Sequence, residues 1–235
     1  MTRAARGGSG DLVRVVIPVY EQADLLDVCG PAEIFHWAGV ESDGGWEILV
    51  VTQRPGAITF NNGFSLNVQG DLSKPIQCDA MWVPGGMPET LDRLMYGSDQ
   101  SLIDFLRAQS KVSTMICSVC EGALLLARAG LLDGYRVTTH WAFIDYLQQH
   151  FPKVQVADGF PRFVLDTNRL TGGGISSGLD EAFELVRLLG GEALAQSVQQ
   201  DTQYYPDPPV ASMIPHLRAS PMPARPPATE APAVG

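Results

Sequence analysis

Four short apolar runs, LVRVVIPV (12–19), WEILVVT (46–52), AMWVP (80–84) and VSTMICSV (112–119), alternate with segments of helical period. That alternation is the feature that most narrows the folds open to this chain. Runs rich in Val, Ile and Met and bounded by turn residues suit strands buried on both faces. Between them, GPAEIFHWA (30–38) carries Pro31 where a first helical turn tolerates it, and DQSLIDFLRAQS (99–110) is amphipathic. EGALLLARAG (121–130) is apolar nearly all round and stops at Gly130. SSGLDEAFELVRLLGG (176–191) opens on a Ser177/Asp180 capping signal, places Leu179, Ala182, Phe183, Val186 and Leu189 on one stripe, and closes on a glycine pair. The pattern predicts an α/β domain: a doubly wound, mostly parallel sheet with helices on both faces. Hairpins are expected over 56–68 and around Asp166–Asn168.

At 235 residues the chain suits one large domain, placed at 11–205, after a disordered tail at 1–10. Nine of the 17 prolines fall at or after residue 206, so 206–235 reads as an extended arm or disordered tail. The net charge of 16 − 26 = −10 and the presence of three lysines in all argue against nucleic acid as a partner. The apolar stretch 119–132 is broken by Glu121 and Arg128 and falls short of the ~18 residues of a membrane span. MTRAARGGSG leads into no apolar segment of a secretory leader, so the expected address is the cytoplasm.

Ligands of such sheets bind beyond the carboxyl ends of the strands. The sharpest turn there is SVCEGALLL, where a buried strand passes through Cys120, Glu121 and Gly122 into a helix with no loop between them. This has the logic of a nucleophile elbow, with the thiol held out at a helix start whose dipole favours thiolate. The alternative is that Cys120 is one more small buried hydrophobe. Cys117 points to the opposite face at strand periodicity, so a Cys117–Cys120 disulfide would deform the strand end. Cys29 and Cys78 read as packing residues. PGGM (84–87) offers Gly85 and Gly86, whose amides could face a ligand oxyanion or merely make a turn. Of the acids Glu21, Asp24, Asp27 and Glu33, most read as caps and dipole partners. Asp27 stands out because it lies among Leu25, Leu26 and Val28, where a carboxylate needs a partner. His140 reads as a hydrogen-bonded structural residue, His36 and His150 as helix-surface or half-buried positions, and His216 lies in the tail, so no histidine is well placed to complete a Cys/His pair. Segments 85–98 and 157–164 are read as loops that shape a pocket.

Together SVCEGALLLARAGLLDGYRVTTHW (118–141), VPGG (83–86), LLDVCGP (25–31) and LTGGGISSGLDEAFELV (170–186) resemble the ThiJ/PfpI superfamily. The resemblance spans about 12–205 and implies a flavodoxin-like fold of the class I glutamine amidotransferase type with a nucleophile elbow. Within it the chain is most similar to the isocyanide hydratases, which QYYPDPPV (203–210) also resembles. The resemblance implies Cys120 as nucleophile, Asp27 as the acid hydrogen-bonded to its sulfur, and Gly85, Gly86 and the Glu121 amide as the surround. It implies a homodimer acting on a small-molecule electrophile, with no cofactor and no metal. Glu121 departs from the threonine found after the cysteine in isocyanide hydratases. PfpI-type peptidases place His there, and glutamine amidotransferases need a His that GGGISSG lacks. The elbow also resembles the sensing domain of AraC-type regulators, which continue into a helix-turn-helix where this chain continues into proline-rich sequence.

The implied reaction is hydration of an organic isocyanide to an N-substituted formamide through a thioimidate on Cys120. The alternatives are glyoxalase or stress-type chemistry on an alpha-oxoaldehyde, and a redox or metabolite sensor built on Cys120. Glu121 is expected to point outward as a dipole partner, so that Glu121→Thr leaves activity nearly unchanged.

Overall fold

The computed structural model describes residues 12–213 and 219–226. The tail placed at 1–10 and His216 lie outside the described residues. In chain order the elements are β1 (Val13–Pro18), α1 (Leu25–Glu41), β2 (Trp46–Thr52), β3 (Gly56–Thr59), β4 (Ser65–Val68), β5 (Gly70–Asp71) and β6 (Cys78–Val83). There follow α2 (Pro88–Tyr96), α3 (Ser101–Gln109), β7 (Ser113–Ser118), α4 (Gly122–Arg128), β8 (Arg136–Val137) and α5 (Ile144–His150). The last are β9 (Gln155–Val156), β10 (Phe163–Asp166), β11 (Arg169–Gly172), α6 (Ser177–Gly190) and α7 (Glu192–Asp201).

Seven strands form the main sheet in the order β10-β11-β7-β6-β1-β2-β5. Every neighbouring pair is parallel except β10–β11, so the expected mixed, mostly parallel sheet is present. Helices α1, α6 and α7 pack together on one side, while α2, α3 and α4 form the other layer. The central strands carry the core: Val15, Val16, Ile17, Met81, Trp82, Val83 and Ile116 are almost wholly enclosed between the two layers. Both hairpins appear, β3–β4 as a separate two-stranded sheet and β10–β11 at the sheet edge.

The structure changes several local expectations. Helix α1 begins at Leu25 and not at 30, so Pro31 lies inside it. Proline there deprives the Asp27 carbonyl of its helical donor, and the Trp82 indole N–H supplies one at 3.0 Å. Much of the segment read as a loop over 85–98 is α2, which starts on Pro88. The capping signal at Ser177/Asp180 is not used: Ser176 holds the N-cap position without a side-chain cap bond, and Asp180 binds Arg162 and Tyr204. The buried face of α6 is Ser177, Gly178, Glu181, Ala182, Leu185 and Val186, so Leu179, Phe183 and Leu189 are only half-buried. Cys29 is exposed on α1 and does not pack. Residues 219–226 touch the body of the domain, where Met222 is buried and Arg225 pairs with Asp92 and lies over the Tyr96 ring.

Candidate active site

Strand β7 ends at Ser118 and α4 starts at Gly122, so three residues make the whole turn. Cys120, the middle one, has φ 55°, a left-handed conformation uncommon outside glycine. Strain of this kind persists only when the surroundings fix it. Here the Cys120 N–H donates to Gly173 O at 2.8 Å, and Thr139 Oγ1 donates to Cys120 O at 2.7 Å. Gly122 lets α4 start directly against β6, since a Cβ would overlap the Val83 carbonyl oxygen.

Asp27 lies on the first turn of α1 and is 0% exposed. Its Oδ2 accepts the Gly85 N–H at 2.9 Å, and its Oδ1 has no partner. The Gly85 amide is thus turned onto Asp27 and not left open for a substrate oxyanion. A Cβ at Gly85 would sit 2.8 Å from both Cys120 Cβ and Glu121 N, so only glycine lets this loop close over the elbow.

Glu121 was expected to point outward, and it does not: it is 5% exposed, with Oε2 unpartnered and turned against Gly85. The Pro84–Gly86 loop roofs the first turn of α4, so a side chain there has no route to solvent. Cys120 and the Gly86 N–H face its carboxyl. Asp24, half-buried at the N-cap of α1, makes no side-chain cap; its Oδ1 takes the Asn61 side-chain amide. Asp24, Asp27 and Cys120 each present a ligand atom, and these atoms lie within 4.8 Å of one another.

Burial dominates the electrostatics. It pushes the Cys120 thiol up, with Glu121, Asp27 and Asp24 adding to the shift, so the thiolate-favouring helix start is opposed by its surroundings. Burial, then Asp24 and Glu121, raises Asp27 well above the carboxylate range against the Gly85 amide. Glu121 rises to about 7 through burial and Asp24, partly offset by Cys120 and Gly86. Tyr20, whose hydroxyl donates to Pro84 O at 2.9 Å, is also raised by burial and by the same anions. The charged side chains that raise Cys120 are Glu121, Asp27 and Asp24, in that order.

The sequence reading passed over Tyr20, Thr139 and Glu181, and counted Asp24 only as a cap. Glu181 on α6 is 0% exposed with neither carboxylate oxygen in a full hydrogen bond, and burial followed by Asp27 raises it well above its ordinary range against the Ser118 backbone. Its acidic letter inside an otherwise apolar helical face was the available signal. His140 stands at the start of a short 3-10 turn and accepts the Ala142 N–H on Nδ1. All four cysteines are free thiols, so the CxxC at 117–120 forms no disulfide. No helix among the described residues is long and apolar enough to cross a membrane.

Residues 13–188 match the model of the DJ-1/PfpI family. An isonitrile hydratase of Pseudomonas putida is 34% identical over 203 residues, which cover 86% of this chain and 83% of that one. A ThiJ/PfpI family protein from Pseudomonas syringae superposes with TM-score 0.74 at 30% identity, covering 86% of this chain and 78% of that one. The HTH-type transcriptional regulator CdhR of Pseudomonas aeruginosa is 27% identical over 169 residues, which are 72% of this chain and 45% of the regulator. With three-quarters of its length matched and the elbow, the carboxyl and the glycine loop assembled at one end of the sheet, the chain belongs to the DJ-1/PfpI family.

Proposed function

We propose that the chain is a cofactor-free, cysteine-dependent hydratase that converts an organic isocyanide to an N-substituted formamide. One observation carries the reading: a cysteine on a strained elbow is flanked by two buried carboxyls, Asp27 and Glu121, whose affinity for protons burial raises. The 34% identity to an isonitrile hydratase across most of both chains supports the substrate class.

The terminal carbon of an isocyanide accepts a nucleophile and then a proton. Cys120 Sγ forms the bond to that carbon, its own proton passing to the neighbouring carboxyl system. Asp27 protonates the carbon, giving the thioimidate R–N=CH–S–Cys120. Water adds to the thioimidate carbon, and Glu121, with its carboxyl near 7, takes a proton from water and returns one to nitrogen. The hydroxyl of the adduct R–NH–CH(OH)–S–Cys120 gives up its proton as the C–S bond breaks, R–NH–CHO leaves, and that proton restores the thiol. Gly85 and Gly86 act through their amides, which orient Asp27 and Glu121 respectively. The reading includes a homodimer, which sedimentation of the purified protein tests as a species of twice the 25.4 kDa chain mass.

The test is incubation of the wild type and Cys120→Ala with an aryl isocyanide, with formamide quantified and intact mass recorded early in the reaction. Formamide from the wild type alone, with a transient adduct on Cys120, is the expected result. Formamide from neither protein, or from both equally, overturns the reading.

A further inference from the structure

We propose that the elbow cluster is also a site for one borderline-soft divalent cation of the zinc class, which silences Cys120 by taking its sulfur as a ligand. The convergence of Asp24, Asp27 and Cys120 donor atoms within 4.8 Å is the starting observation. Two buried atoms independently lack partners at this cluster: Asp27 Oδ1, on a residue that is 0% exposed, and Glu121 Oε2, on one that is 5% exposed. Both Asp carboxyls are gripped on one oxygen only. Gly85 N–H holds Asp27 Oδ2, Asn61 holds Asp24 Oδ1, and in each case the second oxygen is left for a ligand. Outer hydrogen bonds that fix a carboxylate while freeing one oxygen are how protein metal sites orient their ligands.

The donor set selects the ion. A thiolate beside two or three carboxylate oxygens suits zinc or cadmium, whereas magnesium and calcium call for all-oxygen shells of six or more. Tetrahedral ligands at zinc lie about 3.5 Å apart, so the cluster has to contract by about 1 Å, within the reach of carboxylate rotation. The charge also fits, because three acidic side chains, Asp24, Asp27 and Glu121, lie around Cys120. Binding is a plain exchange: Cys120–SH loses its proton to solvent, the sulfur lone pair forms the metal bond, and no electron is transferred. Asp24, half-buried at the edge of the cluster, takes no part in the proposed hydration and is the ligand specific to the cation.

The test reads binding and not turnover, so it stands apart from the fate of the hydratase reading. Chelator-treated protein is titrated with Cd2+, following the ultraviolet thiolate-to-cadmium absorption, and Zn2+ is then used to displace it. The wild type is expected to bind one Cd2+ per chain with that absorption and to release it to Zn2+. Cys120→Ser loses the absorption, Asp24→Asn binds at least tenfold more weakly, and Cys29→Ser, which alters an exposed thiol on the outer face of α1, matches the wild type. Thermal melting of wild type and Asp24→Asn with and without Cd2+ gives a second readout, a rise in Tm for the wild type that shrinks in the variant. No absorption in the wild type, absorption retained in Cys120→Ser, or equal affinity in Asp24→Asn each overturns the proposal.

Discussion

The two ends of the parallel sheet treat buried polar groups in opposite ways. At the amino ends of β6 and β7, Gln109 from α3 is saturated. Its Nε2 lies 2.6 Å from Ile76 O, 3.0 Å from Ser113 Oγ and 3.2 Å from Cys78 Sγ, while its Oε1 accepts the Ile76 N–H at 2.8 Å. At the carboxyl ends, Asp27, Ser118, Glu121 and Glu181 supply all five buried side-chain atoms found without a partner among the described residues. Each end also has a buried cysteine, Cys78 in a closed network and Cys120 in an open one. Satisfied polar networks fix a structure, whereas unmet donors and acceptors cost free energy and leave groups free to meet water, a ligand or a reacting molecule. One end of the sheet is therefore built to hold, and the other keeps the groups that the proposed reaction would use.

Exchanging the thiol at the reactive end sharpens that contrast most. Cys120→Ala is expected to lower formamide production by at least ~10³-fold, as loss of a covalent nucleophile does. Its melting temperature should stay within a few degrees of the wild type, because alanine fills most of the same space and the backbone bonds to Gly173 and Thr139 remain. A collapse of stability in this variant would erase the distinction between the two ends. The holding end should behave in reverse. Gln109→Ala strips the Ile76 and Ser113 groups of their partners and is expected to cost about 2–4 kcal/mol in denaturant unfolding. Turnover per folded molecule should be unchanged.

The pH dependence of stability tests whether the reactive end holds its protons. Glu121 moves from 4.5 to about 7 on folding. Below pH 4.5 both folded and unfolded chains carry the proton and the group contributes no penalty. Between 4.5 and 7 the unfolded chain releases its proton while the folded one keeps it, so stability falls as pH rises, and above 7 the loss is complete. The full effect is at most about 3 kcal/mol. Asp27 and Glu181 act in the same direction, so the informative quantity is the difference between the wild type and Glu121→Gln, whose stability should fall less steeply over this window. Equal slopes would mean that Glu121 is ionised in the fold. The buried position also reverses the expectation for Glu121→Thr: turnover is expected to drop about tenfold, where an outward side chain would leave it unchanged.

Much of this contrast was legible in the sequence, and what was hidden has a common cause. WEILVVT coincides with β2, and the junction SVCEGALLL gave the elbow, because buried parallel strands and tight strand-to-helix turns leave local signatures. Asp27 stood out as an acid among apolar neighbours, and it is buried. The start of α1 was misplaced because Pro31 reads locally as a first-turn residue, while the donor that makes it tolerable inside the helix, the Trp82 indole, is 55 positions away from the carbonyl it serves. Glu121 was misplaced because an acid on a first turn faces solvent by local rules, and only the distant Pro84–Gly86 loop closes that route. Asp24 and Thr139 likewise gain their roles from partners far along the chain, Asn61 and Cys120.

Thr139 offers the finest division between the two ends. Its hydroxyl holds the Cys120 carbonyl and touches none of the reacting atoms, so it belongs to the reactive end by place and to the holding end by chemistry. Thr139→Val keeps the volume and removes the donor, leaving a buried carbonyl short of one bond. The expected loss is about 1 kcal/mol of stability, with kcat down a few-fold and KM unchanged, because the left-handed backbone at Cys120 loses one of its two clamps. The other clamp, Cys120 N–H to Gly173 O, is a backbone bond that no side-chain exchange removes, which is why the effect stays small. If kcat falls as far as in Cys120→Ala, the elbow depends on that hydroxyl for its geometry, and the boundary between holding and reacting groups runs through Thr139 itself.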